Sequence, residues 1–309
     1  TLPQALERAR QLDCTGARYP MGTINGSEAC AVWQHGDLEI HVSAGVAYGI
    51  MHYVKTTGDL SFLYDKGMEM LLQICRYYAS RGAWGQQTGK YGFFGVMGAD
   101  EFHMMVNNNC YTNVMAQKTF EYTLAAIRIM KRHVPEKWAS VRHKTDLSQE
   151  ELTDWAHKSR HMFIPRDPRT GLLEQHEGYF NLPHLDARRI PPEQFPLYAH
   201  WAYVRIFRYD MIKQPDVLLL PFFFSRNFSG QEKRVNFLYY EPRCCHESSL
   251  SPAIHSILAA ELGFRQLAMK YMGHACRLDL DDYNRNTCHG VHTTSMAAAW
   301  MNLVYGFGG

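Results

Sequence analysis

Apolar side chains recur every three or four residues along most of the chain, a spacing typical of helices that bury one face. The segment from His41 to Thr57 shows this pattern, with an apolar stripe made of Val42, Val46, Ile50, Tyr53 and Val54. Gly58 predicts the end of that helix and Asp59 the N-cap of the next, which is expected to end near Gly82.

Similar patterns predict helices in the rest of the chain. One runs from about Cys110 to His133, and another begins with a capping box at Ser148–Glu151 and continues through Trp155 and Met162. A third begins with a cap at Ser251, followed by Pro252, and stops at Gly263. Two more are predicted, one onward from about Phe264 and one from Thr293 to Val304. Strand signals are scarce. The sequence therefore predicts an all-α fold.

The connections between these helices are uneven in length. Four long ones are rich in polar, aromatic and Gly residues, namely Ala83–Asn109, Pro165–Pro196, Glu241–Ser249 and Asp279–His292. Helix pairs with tight turns at one end and long loops at the other are typical of a toroid of helical hairpins, and loops of this length in a compact domain are usually functional. We expect one domain over residues 1–309 with a functional loop face.

The composition is that of an ordinary globular protein, with 309 residues, 46% apolar and 20% charged, and a formal net charge of +2. Because Lys and Arg are interspersed with Asp and Glu, neither a nucleic-acid surface nor a membrane-binding basic face is expected. Eight Cys without a CxxC pair indicate free thiols in a reducing compartment, and we expect a cytoplasmic protein. The chain begins inside a predicted helix without an initiator Met, which indicates a piece of a longer protein.

Two adjacent carboxylates, Asp100 and Glu101, stand in the loop Gly98–His103 between apolar segments. Nearby Phe side chains can raise the pKa of such an acid by disfavouring its charged form, which suits a proton donor. A solvated loop acid or a helix cap explains the spacing equally well. The Asn residues that follow, Asn109 among them, either recognise sugar hydroxyls or form turns and the N-cap of the next helix.

Further polar groups stand at three predicted helix starts. Lys213 and Gln214 precede a Pro, and they either bind a ligand or are a solvated charge beside a cap. Hydroxyl groups crowd the other two starts, one at Ser248 and Ser249 and one at Gly290, His292 and Thr293. A helix N-terminus favours anions, so two such starts indicate a phosphate or another oxyanion, although each alone is usually only a cap.

Several other kinds of site are not expected. The sequence contains no GxSxG, P-loop, GxGxxG or HExxH motif. Its 16 His include no pair at helical metal-ligand spacing with a third ligand in register. We therefore expect neither a metal nor an organic cofactor.

Six long segments, in order, resemble glycoside hydrolase family 65, which is dominated by α-glucoside phosphorylases. They are Gly16–Cys30, Gly95–Ala116, Tyr209–Leu218, His246–Gly263, Arg277–Thr287 and Gly290–Gly309. Within the family, Glu174–Asp186 and the sequence IKQPDVL at 212–218 are most similar to 1,2-α-glucosylglycerol phosphorylases, and next to kojibiose phosphorylases.

The resemblance implies an (α/α)6 barrel, a homodimer, and phosphorolysis of a 1,2-linked α-glucoside with inversion, giving β-D-glucose 1-phosphate and the free acceptor. Phosphate would be a co-substrate, and no cofactor is implied. The family's general acid matches Glu101, and its Lys-Gln pair at the non-reducing glucose matches Lys213 and Gln214. We add Asp100 and Asn109 to the substrate-binding residues. The phosphate-binding residues implied are Ser248, Ser249, Gly290, His292 and Thr293.

The sequence departs from the family pattern in two places, and two other functions are possible interpretations. Ala99 stands where the family usually has Pro, and the family's β-sandwich and first barrel helices are missing, so we expect a barrel incomplete at its N-terminal side. A trehalase-type hydrolase would need a second carboxylate to activate water, for which Glu247 is the nearest candidate. A non-catalytic carbohydrate-binding module is the other rival.

Overall fold

The computed structural model describes residues 1–309, which form two compact units. The first unit comprises Thr1–Gly98 and Met105–Ile164, and the second comprises Ala99–Met104 and Pro165–Gly309. Glu101 therefore belongs to the second unit. The single domain predicted over residues 1–309 stays a prediction, because these units are defined by their internal packing alone.

Helices make up most of the first unit. They are Leu2–Gln11, Trp33–Leu38, His41–Thr57, Leu60–Phe62 continuing through a π turn at Leu63–Gly67 into Met68–Arg81, Cys110–His133, Pro135–Lys144 and Gln149–Arg160. Two short strands, Ala83–Trp84 and Tyr91–Gly92, pair antiparallel. The only regular structure besides helix in this unit is thus a four-residue hairpin stem.

Local signals in the sequence account for several helix ends in this unit. Gly58 adopts a left-handed conformation with φ of 72°, which a residue without Cβ tolerates best, and it ends the helix His41–Thr57. Asp59 then accepts a hydrogen bond from the backbone of Phe62 as the N-cap of the next helix. The predicted capping box is also present, since the Ser148 and Glu151 side chains each bond the other residue's backbone N–H.

The second unit has short turns and helices in its first half and longer helices in its second. The 3₁₀ turns are Tyr179–Asn181, Ala187–Arg189, Pro192–Gln194, Ser225–Asn227, Glu241–Arg243 and Thr287–His289. The α-helices are Leu197–His200, Tyr203–Ile206, Leu219–Phe223, Gly230–Tyr240, Ser251–Glu261, Arg265–Arg277 and Thr293–Met301, the last continuing into a π turn at Asn302–Phe307. The all-α prediction is confirmed.

The start of the helix Ser251–Glu261 differs from the prediction by one residue. Leu250 is the N-cap and makes no side-chain capping bond, and Pro252 lies in the first turn as expected. The prediction of Ser251 as the cap was wrong, because its hydroxyl bonds to the His246 side chain at 2.7 Å instead. The free N–H groups of the first turn are therefore left without a side-chain cap.

An apolar cluster in the second unit supports the loop that carries Glu101. Phe102 is 1% exposed and packs with Ala187, Ile190, Leu197, Trp201, Ile206 and Met211. Burying a Phe side chain contributes about 1.5–3 kcal/mol, so Phe102 holds the residue before it in place. The eight cysteines are free thiols, and none of the helices combines the length and apolar character that a membrane crossing requires.

Candidate active site

The segment Ala99–Met104 is held within the second unit by hydrogen bonds from several directions. The backbone carbonyl of Ala99 accepts from Gln214 Nε2, and that of Glu101 accepts from the Tyr203 hydroxyl at 2.6 Å. The Asp100 backbone N–H donates to Asp216 Oδ2 at 3.3 Å. These bonds fix the backbone on both sides of Glu101, although a loop would otherwise be free to move.

Asp100 is fully buried, and its carboxylate is occupied by other parts of the protein. Its Oδ1 accepts from the backbone N–H groups of Lys213 at 2.8 Å and Phe102 at 3.2 Å. Its Oδ2 accepts from Gln175 Nε2 at 2.9 Å and lies 2.7 Å from His103 Nδ1. A carboxylate offers about four acceptor positions, and all are used here. This arrangement supports a positioning role and weighs against the predicted contact between Asp100 and substrate.

His103 completes the support beneath the loop. Its Nε2 lies 2.9 Å from the Tyr209 carbonyl, so both ring nitrogens face acceptors and the doubly protonated imidazolium satisfies both. Burial by itself would lower the pKa of His103, but the hydrogen bond and charge of Asp100 outweigh burial and raise that pKa above its ordinary value. The pair is a charge-assisted hydrogen bond shielded from water.

The Glu101 carboxylate lies beside the predicted Lys-Gln pair. Lys213 Nζ is within hydrogen-bonding distance of Glu101 Oε2, and Gln214 Nε2 lies 3.4 Å from Oε1. The Lys213 ammonium also lies 5.7 Å from the centre of the Tyr198 ring, a cation–π distance. Glu101 and Lys213 are each partly exposed, at 18% and 17% of the side chain. The structure thus brings three sequence-predicted residues together, and the Glu101 and Lys213 side chains are partly accessible to solvent.

Glu247 stands next to this group because two chain segments run side by side. Ile212 forms a parallel bridge with Cys244, and the Glu247 N–H donates to the Lys213 carbonyl at 3.2 Å. One oxygen of Glu247 accepts from the Leu197 N–H at 2.6 Å, and the other, Oε2, is buried without a partner. Burial raises the pKa of Glu247 to about 7, against the opposing effects of Leu197 and Lys213.

A cavity opens against Glu247. Its volume is about 480 Å³, and it is lined by Tyr198, His246, Glu247 and residues 283–286 among others. This volume lies within the range of small-molecule sites. Aromatic, carboxyl and Arg side chains in one cavity can contact both the faces and the hydroxyls of a sugar.

Ser248 and Ser249 follow Glu247 directly and precede the helix Ser251–Glu261. Both are partly exposed, and the Ser248 hydroxyl accepts from the Leu250 N–H at 3.3 Å. Since this helix start has no side-chain cap, its N–H groups and dipole remain available to an anion. The neighbourhood of Lys213 and Glu247 connects this helix start to Glu101.

The second predicted anion segment has its own local structure. His292 is the N-cap of the helix that begins at Thr293, and its Nδ1 lies 2.6 Å from Asp279 Oδ1. The His292 N–H also donates to Asp279 at 2.7 Å, while Gly290 is exposed with φ of 124°. Asp279 thus fixes the His292 ring and leaves its Nε2 as the nitrogen that can face a ligand.

Asn109 belongs to the first unit, where it is an N-cap. It is 1% exposed, and its Oδ1 accepts from the Thr112 backbone at 2.8 Å at the start of Cys110–His133. Of the two roles that the sequence left open for Asn109, the N-cap is therefore the one seen in the structure. Substrate binding by Asn109 stays a prediction.

Sequence reasoning missed the residues that support the site. Gln175, Tyr203 and Asp216 all bond the loop around Glu101, yet they lie 75, 102 and 116 residues from their partners in the chain. No local pattern marks them. The weak exception is Gln175, a polar residue among the apolar and aromatic residues of the long loop Pro165–Pro196.

The fold and the site together define an all-α protein with a carboxyl group beside a Lys-Gln pair and with uncapped helix starts. The chain belongs to glycoside hydrolase family 65, since residues 1–301 match the family described as "Glycosyl hydrolase family 65 central catalytic domain". The family has an (α/α)6 barrel fold, which confirms the predicted fold class and the resemblance stated above.

The relatives of this chain are phosphorylases named for different disaccharides. The chain is 41% identical over 309 residues to an α,α-trehalose phosphorylase of Thermoanaerobacter brockii. It is 37% identical over 308 residues to a maltose phosphorylase of Bacillus subtilis. Each alignment covers 100% of this chain and 40% of the relative. It is 32% identical to a kojibiose phosphorylase of Caldanaerobacter subterraneus over 95% of this chain and 40% of the relative. A solved structure of a proposed kojibiose phosphorylase from the human microbiome superposes with a TM-score of 0.94 and 47% identity, over 99% of this chain and 40% of that one.

The alignments also show how the length of this chain compares with that of its relatives. It spans about 40% of the length of the relatives that it matches. The activity of a whole protein of this family is therefore a matter for proposal.

Proposed function

We propose that the protein to which this chain belongs catalyses the reversible phosphorolysis of an α-glucoside with inversion. Inorganic phosphate would attack the anomeric carbon, and the products would be β-D-glucose 1-phosphate and the free acceptor. The observation that carries this proposal is the partly exposed carboxyl group of Glu101, held beside Lys213 and Gln214 and close to an uncapped, Ser-flanked helix start. Phosphate is the only co-substrate proposed, and no cofactor is needed.

In the proposed reaction, Glu101 is the general acid. Its carboxyl proton passes to the glycosidic oxygen as the bond from that oxygen to the anomeric carbon breaks, and a phosphate oxygen forms the new bond from the opposite face. A positioned acid contributes about 10²–10⁴-fold to the rate, and alignment of the nucleophile contributes much of the rest.

Lys213 and Gln214 would bind the hydroxyls of the transferred glucose. Both offer N–H donors next to Glu101, and their backbone is fixed by Asp100 and by the bridge to Cys244. Phosphate would be bound by Ser248 and Ser249 at the first helix start. Gly290, His292 and Thr293 would form the second part of that phosphate site, as the family resemblance implies.

We propose a 1,2-linked substrate, such as glucosylglycerol or kojibiose. This choice is supported by the resemblance of Glu174–Asp186 to the glucosylglycerol and kojibiose enzymes, and by the 47% identity to the proposed kojibiose phosphorylase. Trehalose and maltose phosphorylases are also among the relatives, so other linkages are the alternatives to test. A homodimer is proposed on the resemblance alone, and a cytoplasmic location is proposed on the free cysteines.

Hydrolysis is the rival within the same family. It requires an ionised second carboxylate, separated by roughly 6.5–9.5 Å from the acid, to activate water. Glu247 is the candidate, but its pKa of about 7 leaves much of it protonated at neutral pH, and one of its oxygens is already bonded to Leu197. The structure therefore favours phosphate over a Glu247-activated water as the nucleophile.

The proposal is tested in the synthetic direction with the full-length protein. β-D-Glucose 1-phosphate is supplied with a panel of acceptors, namely glycerol and glucose, and phosphate release is measured together with the linkage of any disaccharide. We expect phosphate release with glycerol or glucose and a 1,2-linked product. A 1,4-linked or 1,1-linked product would contradict the linkage while leaving phosphorolysis standing.

The role of Glu101 is tested by Glu101→Gln, which keeps the shape and removes the proton. We expect kcat to fall by about 10²–10⁴-fold with little change in stability. Glu193→Gln, an exposed residue in a 3₁₀ turn, is the matched control and is expected to retain full activity. Undiminished turnover in Glu101→Gln would refute the assignment, and sugar binding without turnover in the unmodified protein would favour a non-catalytic module.

A further inference from the structure

Just before the helix Ser251–Glu261, a group of metal-ligating side chains meets in the interior of the second unit. Cys244 is 7% exposed, His255 is 0% exposed, and His246 lies between them in the chain. The Cys244 sulfur and one nitrogen of each imidazole all lie within 4.8 Å of one another. We refer to Cys244, His246 and His255 as the Cys-His-His cluster. The proposed phosphorolysis uses none of these three side chains.

The distance between the first two ligands matches that of two groups bound to one ion. Cys244 Sγ lies 3.6 Å from His246 Nδ1. For Zn²⁺, bond lengths of about 2.3 Å to sulfur and 2.0–2.1 Å to nitrogen at a tetrahedral angle give a ligand separation of about 3.5 Å. The Ser251 hydroxyl lies 3.2 Å from the same sulfur and 2.7 Å from the same nitrogen. The shorter of these two distances is a hydrogen bond from the Ser251 hydroxyl to Nδ1, so this hydroxyl must rotate away when an ion binds.

The hydrogen bonds of His246 place its proton on Nε2 and its lone pair on Nδ1, where that lone pair accepts from the Ser251 hydroxyl. Its Nε2 is 2.9 Å from the Tyr271 hydroxyl, and that hydroxyl is 2.7 Å from Glu241 Oε1. Since a carboxylate only accepts, Tyr271 donates its proton to Glu241 and accepts the Nε2 proton of His246. This chain of carboxylate, Tyr and His is the kind of outer support that orients a metal-binding imidazole.

His255 offers a second lone pair, and nothing in the protein uses it. Its Nδ1 donates to the Ser251 carbonyl at 3.0 Å, so the proton is on Nδ1 and the lone pair on Nε2. That Nε2 is buried and has no hydrogen-bond partner. A buried polar atom without a partner is destabilising, which a purely structural hydrogen-bond network does not explain.

We propose that the Cys-His-His cluster binds one Zn²⁺ ion, which replaces the Ser251 hydroxyl as the partner of His246 Nδ1, with a water as the fourth donor. A thiolate and two imidazoles are ligands that Zn²⁺ favours, whereas Mg²⁺ and Ca²⁺ favour oxygen. On binding, the Cys244 thiol loses its proton to solvent and the two imidazoles remain neutral. The sequence-based expectation of no metal site missed this arrangement because Cys244 and His246 precede the helix, and only His255 lies on it.

The ion would have a structural role. His246 has a φ of 56°, a left-handed conformation that is uncommon for a residue with a side chain. Ligation on both sides of Cys245 would hold this backbone and so fix the loop that carries Glu247, Ser248 and Ser249. The inference is independent of the proposed function, because it concerns metal binding alone.

Co²⁺ is the probe for the test, because a thiolate bound to tetrahedral Co²⁺ gives a charge-transfer band in the near ultraviolet. The full-length protein is stripped with a chelator and titrated with Co²⁺ and then with Zn²⁺. We expect one Co²⁺ per chain, a thiolate band, and loss of that band when Zn²⁺ displaces the Co²⁺. Amide hydrogen exchange over residues 244–251 is expected to slow when Zn²⁺ is added.

Variants locate the site. Cys244→Ser should lose the thiolate band and His255→Gln should lose tetrahedral binding, whereas Cys245→Ser, at the adjacent thiol outside the cluster, should retain both. Tyr271→Phe removes only the support of His246 and should weaken Co²⁺ binding by about 10–100-fold while the band persists. Far-ultraviolet circular dichroism of each variant checks folding.

Three results would overturn the proposal. They are the absence of a thiolate band in the unmodified protein, a band that persists in both Cys244→Ser and His255→Gln, and a band lost instead in a Cys276→Ser/Cys288→Ser variant. The last result would identify the exposed thiols at 276 and 288 as a surface binding site. If Cys244→Ser does not fold, the band and the exchange of residues 244–251 in the unmodified protein, together with His255→Gln, still decide the matter.

Discussion

At the scale of single residues, the buried pair of Asp100 and His103 determines where Glu101 points. Asp100 uses all four acceptor positions on protein donors, and His103 joins it to the Tyr209 carbonyl. Neither residue needs to touch substrate for the site to depend on both. A change in either should therefore affect stability and the placement of Glu101 together.

The Asp100–His103 pair gives the protein a specific pH dependence of stability. The pKa of His103 is raised in the folded state, despite burial, by its bond to Asp100. The folded state therefore binds the proton more tightly than the unfolded state, whose His titrates near the ordinary 6.5. The stabilisation is fully present below pH 6.5 and is lost as the pH rises through the raised folded-state pKa.

We expect His103→Gln to lower the free energy of unfolding more at pH 5.5 than at pH 9, as measured by urea denaturation. The reason is that the unmodified protein gains the charged hydrogen bond only at the lower pH. His200→Gln, at an exposed position, is the control and should show no such difference. An equal loss at both pH values would mean that folding does not shift the pKa of His103, and a larger loss at pH 9 would mean that His103 is neutral in the folded state.

At the scale of secondary-structure elements, sequence periodicity predicted the long helices well. The helices His41–Thr57 and Cys110–His133 have the predicted bounds, because stripes of apolar residues and local caps both specify them. The short helices and 3₁₀ turns between Tyr179 and Asn227 were not predicted. Elements of three to five residues have too few positions to show a period, and their packing around Phe102 and Met211 determines them instead.

The capping box at Ser148 allows a test at this scale. Ser148→Ala removes the bond to the Glu151 N–H and should lower the free energy of unfolding by about 1 kcal/mol. Thr153→Ala, in the middle of the same helix and exposed, is the control and should be neutral or slightly stabilising, because Ala has the higher helix propensity. Urea or thermal unfolding of the two variants measures the difference, and equal effects would show that the cap does not contribute.

At the scale of the whole molecule, the sequence predicted which residues meet at the site but not which residues hold them in place. Glu101, Lys213 and Gln214 were chosen by chemistry and resemblance, and the structure places them together. Gln175 and Asp216, which bond to the loop around Glu101, lie in the segments Glu174–Asp186 and 212–218, but nothing local in those segments indicates that they contact residues 99–104. The Cys-His-His cluster was missed for the same reason, because its ligands meet only when the 244–251 loop folds back on its helix.

In the proposed reaction, phosphate and not water displaces the acceptor from the anomeric carbon while Glu101 supplies the proton. Nuclear magnetic resonance of the full-length protein with kojibiose, with and without inorganic phosphate, distinguishes the two nucleophiles. We expect β-D-glucose 1-phosphate and glucose to accumulate in equal amounts, only when phosphate is present, and far more slowly in Glu101→Gln. Release of glucose without phosphate, or accumulation of the α anomer, would contradict the proposed reaction.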